Sequence, residues 1–445
     1  MPIDAHVHFF TRSLMTENAG RLLALIRAAT MAEGFIRREE SGMDPQALVS
    51  VIETGLRDSP AAVMRTLDDA YGPGWAYVPL MMDLEYALED DGIEVPPANE
   101  AIPAAPIRLY QNGSSSAESE KERSLRRRIW RRVEDAWRVM FGEGLEWGAR
   151  KLLAAGSFDR QRNDLTALKA DCPDRVFPFL GLDPRRRWND GTDLAELVGD
   201  YVGPGRPFAG VKLYTSAGFS PTDPALFAPG GLYDHCRRRR LPITVHFGSS
   251  GFATPRSSIR VRGDVYQPLY GAVVPADLCR FHIKMTPGTL NAAVAERQMK
   301  LNHPRLWEKV LNRWPGLVIN FAHAGGSQQT DAWVEDPATP NWVAWALDQA
   351  SRRRGVYVDL SGHSGSDQDL PSFLSVLRKR RPALRRKILY GSDFFLSSLK
   401  DPDIRSFRDA HQKAFGSWWG ALSRRNPARF LAGGAGSRRI GKSLD

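Results

Sequence analysis

Cysteine is scarce in this chain. Three residues, Cys172, Cys236 and Cys279, are spread through 445, too few and too scattered for a disulfide framework or a cysteine metal cage. A reducing, cytoplasmic setting is expected. Long apolar runs are also missing, none approaching the roughly 20 residues that a membrane helix needs, so no membrane partner is expected. Near the start, Asp4, His6 and His8 interrupt any apolar signal-peptide core, whose removal would also strand the two histidines. Acid is in deficit, with 51 Asp and Glu against 61 Lys and Arg and a net charge of +10. Arginine runs at 126–128, 237–240 and 352–354 could attract an acidic polymer, but they read more simply as solvated helix faces. The second and third precede predicted strands, where helix C-termini belong and cations are favoured by the helix dipole. Nucleic acid is therefore not an expected partner. No internal repeat is visible beyond the alternation described next.

What is present is an ordinary globular composition, 42% hydrophobic and 25% charged, organised around eight short runs rich in Val, Ile, Leu and aromatics. They are Pro2–His8, Ala76–Met82, Val176–Leu182, Ala209–Tyr214, Ile243–Gly248, Val318–His323, Val356–Ser361 and Ile388–Asp393. Their near-continuous apolar character predicts strands buried on both faces. Helical segments fall between them, such as 226–239, 290–301 and 342–353. Strands alternating with helices make a parallel sheet, and eight units predict an α/β fold, a (β/α)8 TIM barrel. Long insertions follow strands 1, 2 and 5. We expect a single domain over residues 1–445. The segment at about 89–170, whose 111–116 stretch is poor in apolar residues, is expected to be a partly mobile insertion. Residues 249–302 read as a loop-like stretch and then a helix, forming a lid.

Chemistry-bearing residues recur at the strand ends. His6 and His8 are one residue apart in Ile3-Asp4-Ala5-His6-Val7-His8, and alternation along a strand sends both to one face. Lys212 lies in Gly-Val-Lys-Leu-Tyr, His246 in Ile-Thr-Val-His-Phe-Gly, His323 in Asn-Phe-Ala-His-Ala-Gly-Gly and Asp393 in Tyr-Gly-Ser-Asp-Phe. Lys212 to His246 spans 34 residues, about one βα unit, and His323 to Asp393 spans 70, about two. Any one of these alone would read as a core histidine, a snorkelling lysine or a helix cap. Together, each ends a strand on the barrel face that carries chemistry. Histidine and aspartate ligands suit zinc and related divalent ions with a position left open. A bound cation lowers the pKa of water to roughly 7, and Asp393 could take the proton.

This pattern of His-x-His, Lys, His, His and Asp resembles the amidohydrolase superfamily of metal-dependent barrel enzymes. Its surroundings are most similar to the branch that includes decarboxylases related to aminocarboxymuconate semialdehyde decarboxylase. The closing Asn426-Pro427-Ala428-Arg429-Phe430-Leu431 adds to the likeness. The resemblance covers all eight strands but not the insertions. It implies one or two divalent ions, Zn2+ first with Mn2+ or Fe2+ as alternatives. The ligands would be His6, His8, Lys212 (carboxylated when two ions are held), His246, His323 and Asp393. With a single ion, His6, His8, His246 and Asp393 hold it, and His323 orients water or substrate.

Tyr214, on the same face as Lys212, and His363, just beyond the seventh strand, are candidate substrate contacts. Asp83 and Glu85 could orient ligands, and Arg256, Arg260 and Arg262 could bind a carboxylate. The reading is a metal-dependent hydrolase with Asp393 and His323 as catalytic residues, acting on an amide, ester or lactone bond of a small-molecule substrate. A metal-dependent non-oxidative decarboxylase is the alternative, and a non-catalytic basic binding protein a more distant one. Assembly into a homo-oligomer is left open.

Overall fold

A computed structural model of the chain describes residues 1–11, 57–83, 85–87, 157–254, 256–284, 289–338, 340–363, 369–394, 397 and 403–434. Every one of the eight anticipated strands is present: β1 (Ile3–Val7), β2 (Ala76–Pro79), β3 (Phe179–Leu182), β4 (Gly210–Leu213), β5 (Pro242–Gly248), then, after four short strands of an insertion, β10 (Val318–Gly325), β11 (Val356–Asp359) and β12 (Ile388–Leu389). β1 pairs with β2, and a parallel sheet runs β12-β11-β10-β5-β4-β3. Parallel bridges Tyr77–Val176 and Leu80–Phe179 join β2 to β3, and Val7–Phe394 joins β1 to the chain beyond β12. The Asp393 amide donates to the His6 carbonyl at 2.8 Å, completing the ring. The eight strands therefore close into a (β/α)8 barrel, with insertions after β1, β2 and β5.

The helices form the outer layer, and local chemistry sets their ends. Ser59 caps Pro60–Tyr71 by accepting from the Ala62 amide, and Pro60 fills the first position, where no amide donor is needed. Asn341 caps Trp342–Arg352 in the same way, and Arg352 stands in its last turn. The Arg237–Arg239 run ends Leu232–Arg239, with Arg238 3.0 Å from Asp234 one turn back. Both runs thus take the solvated helix-end role expected of them.

Side chains of the strands segregate into two cores. Val211, Leu213, Ile243, Val245, Ile319, Phe321 and Val358 face the helices. Ile3, Ala76, Val78, Phe179, Val318, Tyr357 and Leu389 fill the barrel interior, closed from beneath by Phe430. Helix Asn426–Leu431 is thus the floor of the barrel, its phenylalanine ring 5.3 Å from that of Tyr357 and 5.9 Å from that of Phe179.

The insertion after β5 is more structured than its sequence indicated. β6 (Ser258–Arg260) pairs antiparallel with β9 (Leu278–Arg280), and β7 (Asp264–Gln267) with β8 (Ala272–Pro275). They share a small core of Ile259, Val261, Val265, Cys279, Phe281 and Leu301. Runs of three or four residues with exposed arginines show too little alternation to read as strands. Helix Leu290–Asn302 follows as expected. In the 89–170 segment, Ser157–Asp171 is helical, and the rest of that insertion, including 111–116, lies outside the described residues. The 126–128 arginine run lies outside them too. Among the described residues no helix is long and apolar enough to cross a membrane, and all three cysteines are free thiols.

Candidate metal centre

β1 supplies the first two imidazoles. A register irregularity between Asp4 and Val7 lets Ile3 and Ala5 face the interior below while His6 and His8 face it above. Gly391 makes room, because a Cβ there would lie 2.6 Å from that of His6. Asp4, on the outward side, accepts from the His6 and Ser392 amides at 3.2 and 3.0 Å and from the Tyr71 hydroxyl at 3.2 Å, fastening β1 to β12. Burial pushes its carboxyl up to about 6 in spite of those bonds.

The ring nitrogens are divided between support and site. His8 Nδ1 meets the Leu80 carbonyl at 2.9 Å, so His8 Nε2 is the atom presented to Asp393 Oδ1, 3.4 Å away. His6 Nδ1 meets Asp359 Oδ2 at 3.2 Å and the Ser361 hydroxyl at 2.9 Å, leaving His6 Nε2 3.3 Å from the same Asp393 oxygen. His6 Nε2 and Asp393 Oδ1 are both buried with no hydrogen-bond partner among the described residues. The ligand atoms of His6, His8 and Asp393 lie within 4.8 Å of one another. His6, His323 and Asp359 meet the same distance criterion. There, however, the carboxylate is already committed to His6 Nδ1 and to the His323 amide at 3.0 Å, which marks Asp359 as support for the ligands.

His323 and Asp393 both take left-handed backbone, with φ of 62° and 58°. On an unbroken strand His323 would face outward with Ile319 and Phe321. The turn at His323 brings its ring to 4.9 Å from that of His6 and 4.9 Å from that of His246. Such conformations cost about 1–3 kcal/mol each and cluster at functional sites. His246 Nε2 meets the Ser250 carbonyl at 2.8 Å, and His246 Nδ1 is buried without a partner among the described residues. Gly251, at φ 103°, permits this approach, since a Cβ would stand 2.5 Å from the imidazole. Lys212 is buried as well, and its Nζ has no hydrogen-bond partner among the described residues.

Electrostatics suit a cation. Burial drives His8 down to about 4, only partly countered by Asp393. It also drives His246 well below the ordinary imidazole range, with the charges of His323 and Lys212 adding to the effect, and lowers His323. Burial opposes ionisation of Asp393, but the close approach of the His6 and His8 imidazoles outweighs it and holds the carboxyl well below its usual range. For His6, burial is outweighed by the Asp359 charge, and its pKa rises. Burial pulls Lys212 down to about 8 against the pull of Asp359 and Asp393. The imidazoles of His8, His246 and His323 are thus held neutral beside an ionised carboxylate, and a divalent cation bound at His6 Nε2 would displace the proton that Asp359 favours on His6.

The remaining sequence candidates take other places. Tyr214 stacks on His246 with ring centroids 4.2 Å apart, and its hydroxyl accepts from the Phe252 amide at 2.9 Å. His363 Nε2 meets the His323 carbonyl at 3.0 Å. Asp83 and Glu85 are both engaged by Arg186, at 2.8 and 2.7 Å. Arg262 lies over the Trp188 ring at 4.4 Å, Arg260 is exposed, and the Arg256 carbonyl accepts from Arg297 at 2.9 Å.

Residues that sequence reasoning passed over are Asp359, Ser361, Arg297 and Gln298. Asp359 carries a legible signal, a carboxylate at the inward end of the seventh strand in Val-Tyr-Val-Asp. Gln298 carries none: it lies on an ordinary helix, yet donates to the Ser250 and Phe252 carbonyls at 2.8 and 3.2 Å and stands 3.3 Å from His246 Nε2.

The family model for amidohydrolases matches residues 146–434, a span that holds Lys212, His246, His323, Asp359 and Asp393. The chain belongs to the amidohydrolase family. No curated protein matches its sequence. Among solved structures, a manganese-bound 5-carboxyvanillate decarboxylase from Novosphingobium aromaticivorans DSM 12444 is similar, at 13% identity and a TM-score of 0.49, covering 97% of each chain. A 2,6-dihydroxybenzoate decarboxylase from Rhizobium has 17% identity and a TM-score of 0.37, over 63% of this chain and 78% of its own. A zinc-bound amidohydrolase from Burkholderia multivorans has 14% identity and a TM-score of 0.37, over 62% and 79%. In this member of the amidohydrolase family the histidines and the aspartate stand at the C-terminal ends of the barrel strands, the face on which such barrels do their chemistry.

Proposed function

We propose that this amidohydrolase is a metal-dependent hydrolase that cleaves an amide, ester or lactone bond of a small molecule at the barrel mouth. The observation that carries the reading is the facing pair of orphaned atoms, His6 Nε2 and Asp393 Oδ1, 3.3 Å apart and sealed from solvent. Unpaired buried polar atoms are costly, and a cation between them and His8 Nε2 would satisfy both. Zinc fits these donors, as do manganese and iron. His246 and His323 stand next to the first group. Lys212, neutral a little above pH 8, would serve a second ion after carboxylation.

A divalent ion held there would supply Lewis acidity, polarising the substrate carbonyl and making water easier to deprotonate. The chain supplies the rest. Asp393 takes the proton from the attacking water and returns it to the leaving group. His323, fixed at Nδ1 by the Ser361 carbonyl at 3.0 Å, orients water or substrate. Residues 249–302 act as a lid, because their contacts run along the ends of β4 and β5: Ser216 donates to the Phe252 carbonyl at 2.7 Å. A cytoplasmic setting fits the free thiols.

Hydrolysis is tested by offering the metal-loaded enzyme a panel of esters, lactones and amides in water enriched in heavy oxygen. Label in the acid product is the predicted outcome. A second reading, decarboxylation of a small carboxylic acid, is favoured by Lys212. A buried amine without an acceptor would hold a substrate carboxylate. Carbon dioxide release with no label incorporated would establish that reading instead.

A further inference from the structure

The opposite end of the barrel holds a cavity of about 490 Å³ lined by Arg385, Arg386, Arg425 and Arg429 together with Ala421 and Asn426. It lies beneath β12, whose first residue is Ile388, and so on the far side of the barrel floor from the metal centre. Its walls are fixed: the Asn426 amide donates to the Arg385 and Ile388 carbonyls at 2.8 and 2.7 Å. Arg385 donates to the Ser417 carbonyl at 3.0 Å. Among the described residues none of the four guanidinium groups is ion-paired with a carboxylate. More positive charge stands alongside. Lys387 lies 4.9 Å from the Tyr357 ring, and burial together with Arg429 and Arg354 depresses its pKa to about 8. Some arginines elsewhere on the molecule find acids, as Arg186 does with Asp83 and Arg238 with Asp234.

We propose that this cavity binds a small molecule carrying two or more phosphate groups. Four guanidinium groups line one hollow, Arg385, Arg386 and Arg425 exposed and Arg429 half-buried, and together they offer matching charge to an anion lying between them. Guanidinium geometry suits phosphate oxygens, which it can engage two at a time. The concave, small-molecule-sized shape favours a compact polyphosphate over a nucleic acid, which would call for an extended face.

Titration of the full-length, metal-loaded protein with inorganic tripolyphosphate, followed by calorimetry at physiological ionic strength, tests the site. One equivalent per chain is expected to bind saturably. Arg386→Gln/Arg425→Gln should weaken binding at least tenfold, and Arg385→Gln/Arg429→Gln should do so independently, with circular dichroism unchanged in at least one pair. Chelation of the active-site ion by the probe would be equal in all three proteins and so drops out of the comparison. Absence of saturable binding, affinity equal to that of the wild type in the folded variants, or displacement of tripolyphosphate by equimolar duplex DNA would overturn the proposal.

Discussion

Asp359 Oδ2 lies 3.2 Å from His6 Nδ1, with both side chains sealed from solvent. The same carboxylate accepts from Asn320 at 2.6 Å and from the His323 and Ser361 amides at 3.0 Å each. Burial alone would keep it protonated, but the facing His6 charge and these hydrogen bonds hold it ionised. It therefore aims His6 Nε2 at Asp393 and pins the left-handed turn at His323. Asp359→Asn places an amide where an acceptor is required. We predict a 10- to 100-fold loss of metal affinity, about the effect of removing such outer partners, with the fold retained, read by metal titration alongside circular dichroism.

Asp393→Asn tests proton transfer more directly. The backbone bond from residue 393 to the His6 carbonyl survives, so the fold should persist. Turnover is expected to fall by at least about 100-fold, the usual contribution of a general base. Activity like that of the wild type would sink the assignment.

Lys212 gives a prediction for the chelated protein. Its pKa is about 8 when folded and 10.5 in the unfolded reference, so between those values the unfolded chain binds more protons and wild-type stability rises with pH. Lys212→Met removes the buried amine. The variant should melt above the wild type at pH 7, and the gap should close between pH 8 and 10.5. A constant gap across that window would contradict the burial argument.

Arg297 organises the insertion over the site. Fully buried, it donates to the Thr254, Ile283, Ala293 and Arg256 carbonyls at 2.8–3.0 Å. Arg297→Met removes this donor from four carbonyls, of which those of Ile283 and Arg256 are half-buried and that of Ala293 keeps its helical amide donor, at a cost of about 1–3 kcal/mol for each left unpaired and out of reach of water. We expect faster proteolysis within residues 249–302, with the metal content unchanged. Equal cleavage rates would show that the anchor is dispensable.

The barrel was legible because its strands are apolar on both faces and nearly evenly spaced, and each found its place within a few residues. The histidines and Asp393 were legible because strand ends on one barrel face must converge. His323 is instructive: alternation by itself points its side chain outward, and only the left-handed backbone at residues 323 and 324 brings it inward. The short strands of the insertion and the partners Gln298 and Arg297 were not legible. Their positions depend on how a long excursion folds back, which no local period encodes. Ser361, whose hydroxyl lies 2.9 Å from His6 and 3.0 Å from His323, reads in sequence as an ordinary turn residue.

Metal content per chain tests the central claim most directly, measured by elemental mass spectrometry on protein purified without chelator or added metal. The account predicts one or two divalent ions per chain, lost from a folded His6→Ala/His8→Ala variant. Two would support a carboxylated Lys212, and one a site of His6, His8, His246 and Asp393. No bound ion in the wild type, even after zinc, manganese and iron are each offered, would contradict it.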